Sequence, residues 1–214
     1  MVAAGIVSPR QMLAVSVVLL VITFLLGLIL VDRGGLTILI VGIFSLFFAY
    51  AYTGGPHPLA YNGLGDIFVL IFFGIIAVCG TYFVQMLEIK LFVFVASLAP
   101  GFLSMNILAV NNIRDIETDK PVGKITLAVK LGKNKSKLLY VFINISAFVI
   151  PVILYLILNA AYMLLPLLLF PYSLFICNKL FALTDKELNS LLTATSKVLL
   201  LHGILTVIGF ILSA

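Results

Sequence analysis

Seven stretches of apolar residues, each near the roughly 20 needed to cross the hydrocarbon layer of a bilayer as a helix, decide where this chain can fold. They cover 11–31, 36–53, 66–86, 91–112, 138–158, 161–181 and 190–212. The apolar residues run continuously rather than alternating, so the expected spanning form is the helix and not a barrel strand. Of 214 residues, 63% are hydrophobic and 10% charged, which excludes a soluble domain. The expected fold class is all-α: a polytopic membrane bundle of seven transmembrane helices, forming a single domain over 1–214. The first run is as long as the others and is expected to stay in the bilayer rather than be cleaved as a signal. Cys79 and Cys177 lie inside apolar runs without metal-ligand spacing and read as small buried side chains.

The net charge of +5 matters through its distribution. If the chain crosses at each run, one side receives Arg10, all seven cations from Arg114 to Lys137, and Lys179, Lys186 and Lys197; the other receives only Arg33 and Lys90. The positive-inside rule places the populated side in the cytoplasm. The N-terminus and the two longest connections, 54–65 and 113–137, are then cytoplasmic, the C-terminus is outside, and the expected location is the cell membrane. Basic charge is thus read as topology, with no nucleic-acid partner expected. Binding residues are expected on the long cytoplasmic connections.

One connection concentrates charge. "NNIRDIETDKPVGK", 111–124, packs three carboxylates and three cations into an otherwise apolar chain. Asn111, Asp115 and Asp119 recur every four residues, so they share a face if the preceding helix continues past the bilayer boundary. Two carboxylates one turn apart suit Mg²⁺, which keeps waters and takes phosphate oxygens as further ligands. Arg114, Lys120 and Lys124 are candidates to neutralise that phosphate. A calcium loop fails at Lys120, where the turn requires Gly, and at Thr126, where the bidentate Glu belongs. A solvated loop whose cations only fix topology stays open on spacing alone.

In context, "NNIRDIETDKPVGKITLAVKLG" resembles the second aspartate-rich motif of the UbiA-type intramembrane prenyltransferases, and more narrowly of the branch that prenylates 1,4-dihydroxy-2-naphthoate in menaquinone synthesis. "AYTGGPHPLAYNGLGD", 51–66, resembles that branch's loop between its fourth and fifth helices, and "GIVSPRQM", 5–12, the segment leading into the third. The resemblance implies a ring of nine helices around a cavity with two facing aspartate-rich motifs, the seven runs here standing for helices three to nine. It implies Mg²⁺ on Asp115 and Asp119, polyprenyl diphosphate as donor and 1,4-dihydroxy-2-naphthoate as acceptor. The product would be demethylmenaquinone, formed with loss of CO₂. No second acidic cluster occurs in the sequence. The domain is therefore expected to be N-terminally incomplete, or completed by a separate chain carrying the first motif.

Through the same loop resemblance Tyr61 and Asn62 are candidate substrate contacts; His57, between prolines in that loop, reads as an acceptor contact or as merely solvated, and Asn111 and Asn112 are further candidate substrate-binding residues. Tyr50, Tyr52, Tyr61, Phe68, Phe72 and Tyr82 supply ring faces for an allylic cation, or simply pack. Asp66, opening an apolar helix, reads first as an N-cap and second as a substrate or metal contact. Asn106 and His202, inside spans, are expected to bond across helices. Pro100, Pro166 and Pro171 are expected to kink theirs. Glu117 points off the Asp115 and Asp119 face. A different aromatic or lipid acceptor, an inactive membrane remnant or scaffold, and a transporter remain as alternatives; no internal repeat supports the last.

Overall fold

The computed structural model describes residues 7–213, so the start of the 5–12 stretch lies outside the described residues. Among them there is no strand, and six helices are long and apolar enough to cross a membrane. They are α1 Pro9–Thr53, α2 Gly65–Met86, α3 Leu91–Arg114, α4 Lys133–Leu158, α5 Ala161–Ala182 and α6 Asn189–Ser213. The last five match expected runs to within a few residues.

The difference lies in α1, where two expected spans form one helical element. Ser8 opens it with a capping box: its hydroxyl accepts from the Gln11 amide at 3.2 Å, and the Gln11 side chain accepts from the Ser8 amide at 2.9 Å. Forty-five residues in a straight helix would reach roughly 67 Å, twice a bilayer core. Gly35, at φ 62° and ψ −153°, is non-helical. Residues on both sides of this kink, from Thr23 to Leu46, line one 550 Å³ cavity against α2. Arg33 beside the bend donates to the Val84 and Gln85 carbonyls at 3.3 and 3.1 Å, satisfying the C-terminal end of α2. Where a connection between two spans was expected there is a kink at one glycine, and the described residues form six candidate spans rather than seven.

The core lies between α3, α4, α5 and α6, around Leu103, Val110, Tyr140, Phe148, Leu180 and Val198, whereas α1 has no buried residue. Tyr140 and Thr195 share a hydrogen bond of 2.9 Å between α4 and α6, and Ser173 donates to Asn144 at 2.7 Å between α5 and α4. Helix α2 winds as a π-helix over Leu70–Ile76 and there meets α3 backbone to backbone. A Cβ on Gly74 would stand 2.8 Å from both the Gly101 Cα and the Ser97 carbonyl. Small residues permit this approach in a membrane bundle.

The prolines behave differently from one another. Pro100 sits within α3 without ending it, while Pro166 lies in a 3₁₀ stretch, Ala161–Leu169, that widens into the α-helical Phe170–Ala182 with Pro171 in its first turn. Asn106 and His202 do not make the expected bonds across helices. Both polar atoms of Asn106 are buried without a partner. His202 instead meets Thr206 within its own helix at 3.4 Å and the Phe148 ring edge-on, and its Nε2 has no partner.

Candidate functional site

Helix α3 ends where the charge begins. Asp115, at φ −96° and ψ 7°, interrupts it, and a single further turn, Ile116–Asp119, leads into a 3₁₀ turn, Lys120–Val122, closed by Gly123 at φ 74°. The helix therefore does not continue through Asp119 as expected, because Asp115 has left helical backbone geometry. The four-residue bonding survives the break: the Asp115 amide donates to Asn111 O at 3.1 Å and the Asp119 amide to Asp115 O at 2.8 Å. The two carboxylates nevertheless have different surroundings.

Asp115 is gripped by its neighbour. Arg114 Nε and Nη2 each donate at 2.7 Å, to Oδ1 and Oδ2 respectively, and hold this carboxyl below the usual carboxylate range. The same guanidinium donates at 2.6 Å to Asn111 Oδ1 and at 2.6 Å to Asn189 Oδ1, linking the end of α3 to the start of α6. Arg114, expected to face phosphate, thus spends its donors inside the protein.

Asp119 faces a cavity of about 410 Å³. Asn111, Asn112, Lys124 and Thr126 line it from the charged segment, and Tyr52, Tyr61 and Asp66 from the stretch that resembled the acceptor loop. The two sequence-distant motifs share this space. Asp119 is 8% exposed, and Lys124 Nζ stands 2.9 Å from its Oδ2. That contact is a close ion pair, so the buried Oδ2 is compensated by the Lys124 ammonium.

Asp66 is not the N-cap. Leu64 holds that position without a side-chain bond, and Asp66 lies in the first turn of α2, 4% exposed. His57 and Lys120 are exposed and do not line the cavity. Asn62 turns its side chain back to the Pro58 carbonyl at 2.8 Å. Of the aromatics, Tyr52 and Tyr61 reach the cavity, Phe68 and Phe72 stack on each other beside Phe48, Tyr82 packs edge-on against Phe92, and Tyr50 is largely exposed. Of the loop glycines, Gly55 and Gly63 adopt positive φ.

Sequence reasoning missed Thr126, 2% exposed, which lines the cavity and caps the next helical turn by accepting from the Val129 amide at 3.2 Å. A threonine directly before the apolar "LAVKL" was the available signal. It also missed Asn189, whose pairing with Arg114 spans 75 residues and leaves no local trace.

The donor set suits Mg²⁺ in part. Asp119 lines the cavity together with Asn111 and Asn112, its Oδ2 paired with Lys124, whereas Asp115 does not line it and each of its oxygens retains a second lone pair beside its bond to Arg114. No cluster of three or more His, Cys, Asp or Glu occurs among the described residues, so any such ion would draw its remaining ligands from water and phosphate.

Comparison with known proteins places the chain. The model of the UbiA prenyltransferase family matches residues 1–201. The 1,4-dihydroxy-2-naphthoate octaprenyltransferase of Mycobacterium tuberculosis is 37% identical over 140 residues, 65% of this chain and 48% of the relative. That of Haemophilus influenzae is 45% identical over 96 residues, 45% of this chain and 31% of the relative. The UbiA prenyltransferase domain-containing protein 1 of Dictyostelium discoideum is 31% identical over 176 residues, 82% of this chain and 52% of the relative. The chain spans about half the length of most of the curated relatives it matches, and no solved structure matches it. With the family match running through α1 to α5 and into α6, this integral membrane protein belongs to the UbiA prenyltransferase family.

Proposed function

We infer that the chain takes part in transferring a polyprenyl group from polyprenyl diphosphate to 1,4-dihydroxy-2-naphthoate, the ring carbon exchanging its carboxylate, lost as CO₂, for the prenyl group, which gives diphosphate and the quinol form of demethylmenaquinone. The observation that carries this reading is the shared cavity: the acidic segment and the acceptor-like loop, 45 residues apart from Asp66 to Asn111, face one another across it. The names of the bacterial relatives support the naphthoate as acceptor.

Asp119 and Asp115 are the residues that would hold Mg²⁺, which when bound neutralises charge on the departing diphosphate. The protein's own groups do the rest. Lys124 moves from Asp119 onto phosphate oxygens as a point charge, and Arg114 keeps Asp115 ionised and oriented. Asn111 and Asn112 fix the donor's head, and Tyr52 and Tyr61 present ring faces to the allylic cation as the ring carbon attacks. Asp66 and the Tyr61 turn contact the acceptor. A cavity at the mouth of the bundle leaves the diphosphate at the aqueous edge and the isoprenoid tail in hydrocarbon, avoiding burial of charge among lipid. The topology that fits is cytoplasmic for this face and for the N-terminus.

The test is prenyl transfer in membranes bearing the chain, in a host lacking its own naphthoate prenyltransferase, with labelled farnesyl diphosphate and a panel of aromatic acceptors. Labelled product from 1,4-dihydroxy-2-naphthoate, lost in Asp119→Asn, is expected. Product from another acceptor and none from the naphthoate would reassign the substrate. No product from any acceptor would leave the inactive scaffold as the better reading.

A further inference from the structure

We propose that Lys130 is a positioning residue: it latches the turn carrying Tyr61 over the cavity and so sets how tightly the aromatic acceptor is held. The proposal rests on the prenyl-transfer reading of that cavity. Lys130 does not line the cavity; it acts through the backbone of the Tyr61 turn. Its Nζ donates at 2.7 Å to the Asn62 carbonyl, 68 residues away in sequence.

One other hydrogen bond joins the same two segments, from the Ile125 amide to the Tyr61 carbonyl at 2.9 Å. Gly63 is built around this junction. Its φ of 77° disfavours a side chain, and a Cβ there would stand 2.9 Å from Lys130 Nζ and 3.2 Å from the Ile125 carbonyl. The turn is only loosely packed: Tyr61 is 40% exposed, Asn62 is exposed, Leu59 and Ala60 are half-buried against α1 and the start of α2, and no residue of Leu59–Asn62 is fully buried. With modest apolar contact to order it, the two bonds to the opposite segment contribute to holding its position.

The donor side is firmly placed. Lys130 lies in the short helix Leu127–Leu131, which is capped by the buried Thr126 and anchored by the buried Ala128. The acidic wall has bonds of its own, from the Asp119 amide to Asp115 O at 2.8 Å and from the Lys124 amide to Asp119 O at 3.0 Å. Loss of the latch therefore frees the Tyr61 turn and spares the acidic wall. A turn that is in place only part of the time lowers apparent acceptor affinity by that fraction and leaves donor binding alone.

Lys130→Met keeps the aliphatic stem and removes the donor. In membranes bearing the full chain, the KM for 1,4-dihydroxy-2-naphthoate is expected to rise about fivefold, the factor for one modest net hydrogen bond. The KM for farnesyl diphosphate and kcat stay nearly constant, and Lys130→Arg, which can still donate, restores the acceptor KM. Independently of activity, hydrogen exchange at the Ile125 amide is expected to quicken in Lys130→Met while α3 amides do not change. Unchanged exchange at Ile125 overturns the latch. An unchanged acceptor KM, or equal loss in both substrates' KM and in kcat, overturns its role in acceptor binding. Absence of transfer in the unmodified chain counts against the prenyl-transfer reading, and the exchange measurement then still decides whether the latch exists.

Discussion

Asp115 and Asp119 stand one turn apart, and their surroundings assign them different work. Asp115 is a carboxylate already bound bidentately by Arg114, while Asp119 lines the cavity and is paired there with Lys124. Asp119→Asn keeps the shape and removes the charge; it is expected to lower prenyl transfer by about 100-fold, the scale for one group that stabilises developing charge. Asp119→Asn protein should still reach the membrane in normal amount, measured by quantitative blotting beside the transfer assay. Arg114→Lys is expected to behave as a loss rather than a conservative change, because a point charge cannot replace a fork that serves Asp115, Asn111 and Asn189 together. A double-mutant cycle of Arg114→Met with Asp115→Asn should return a coupling of about 1 kcal/mol in detergent unfolding, since the pair is partly exposed.

At the scale of elements, the contact between α2 and α3 gives a sharp comparison between two glycines of one helix. Gly74 has the α3 backbone where its Cβ would go, whereas an added Cβ at Gly80 meets nothing within 4 Å. Gly74→Ala must push the helices apart and is expected to cost about 1–3 kcal/mol. Gly80→Ala should be neutral or gain up to about 1 kcal/mol from helix propensity. Thermal unfolding of the two variants in one detergent decides; equal midpoints would sink the close-packing account. The spans themselves were legible in the sequence because a bilayer demands long unbroken apolar runs, and five of them ended within a few residues of the helices. The Gly74 and Gly101 contact was not, because a glycine at a tight crossing and one beside open space look alike in a one-dimensional string. The same holds for the end of α3, where the repeat of Asn111, Asp115 and Asp119 gave the right turn spacing but could not show that Asp115 leaves the helix.

At the scale of the whole molecule, the parts of the site that the sequence left unread are those made by contacts between distant segments: Arg114 with Asn189, Lys130 with Asn62, and the meeting of Tyr61 with Asp119 on one cavity. Local composition carries no trace of them, while the motifs that supply the residues were visible as two separate strings. The proposed orientation of the whole assembly rests on a long-range feature as well, the distribution of cations along the chain. Arg114, Lys120, Lys124, Lys130, Lys133, Lys135 and Lys137 close α3, follow it or open α4, while Arg33 stands beside the bend of α1 and Lys90 just before α3. Each end of α4 then offers a reporter, Asn134 in its exposed first turn and Asn159 just past its last residue. The native thiols, Cys79 and Cys177, are buried and give little background. With Asn134→Cys, a membrane-impermeant maleimide is expected to label inverted vesicles and not right-side-out ones; with Asn159→Cys the pattern reverses. The opposite pattern in both variants would place the 410 Å³ cavity on the outer face, away from any cytoplasmic supply of polyprenyl diphosphate, and the proposed reaction would fail on topology alone.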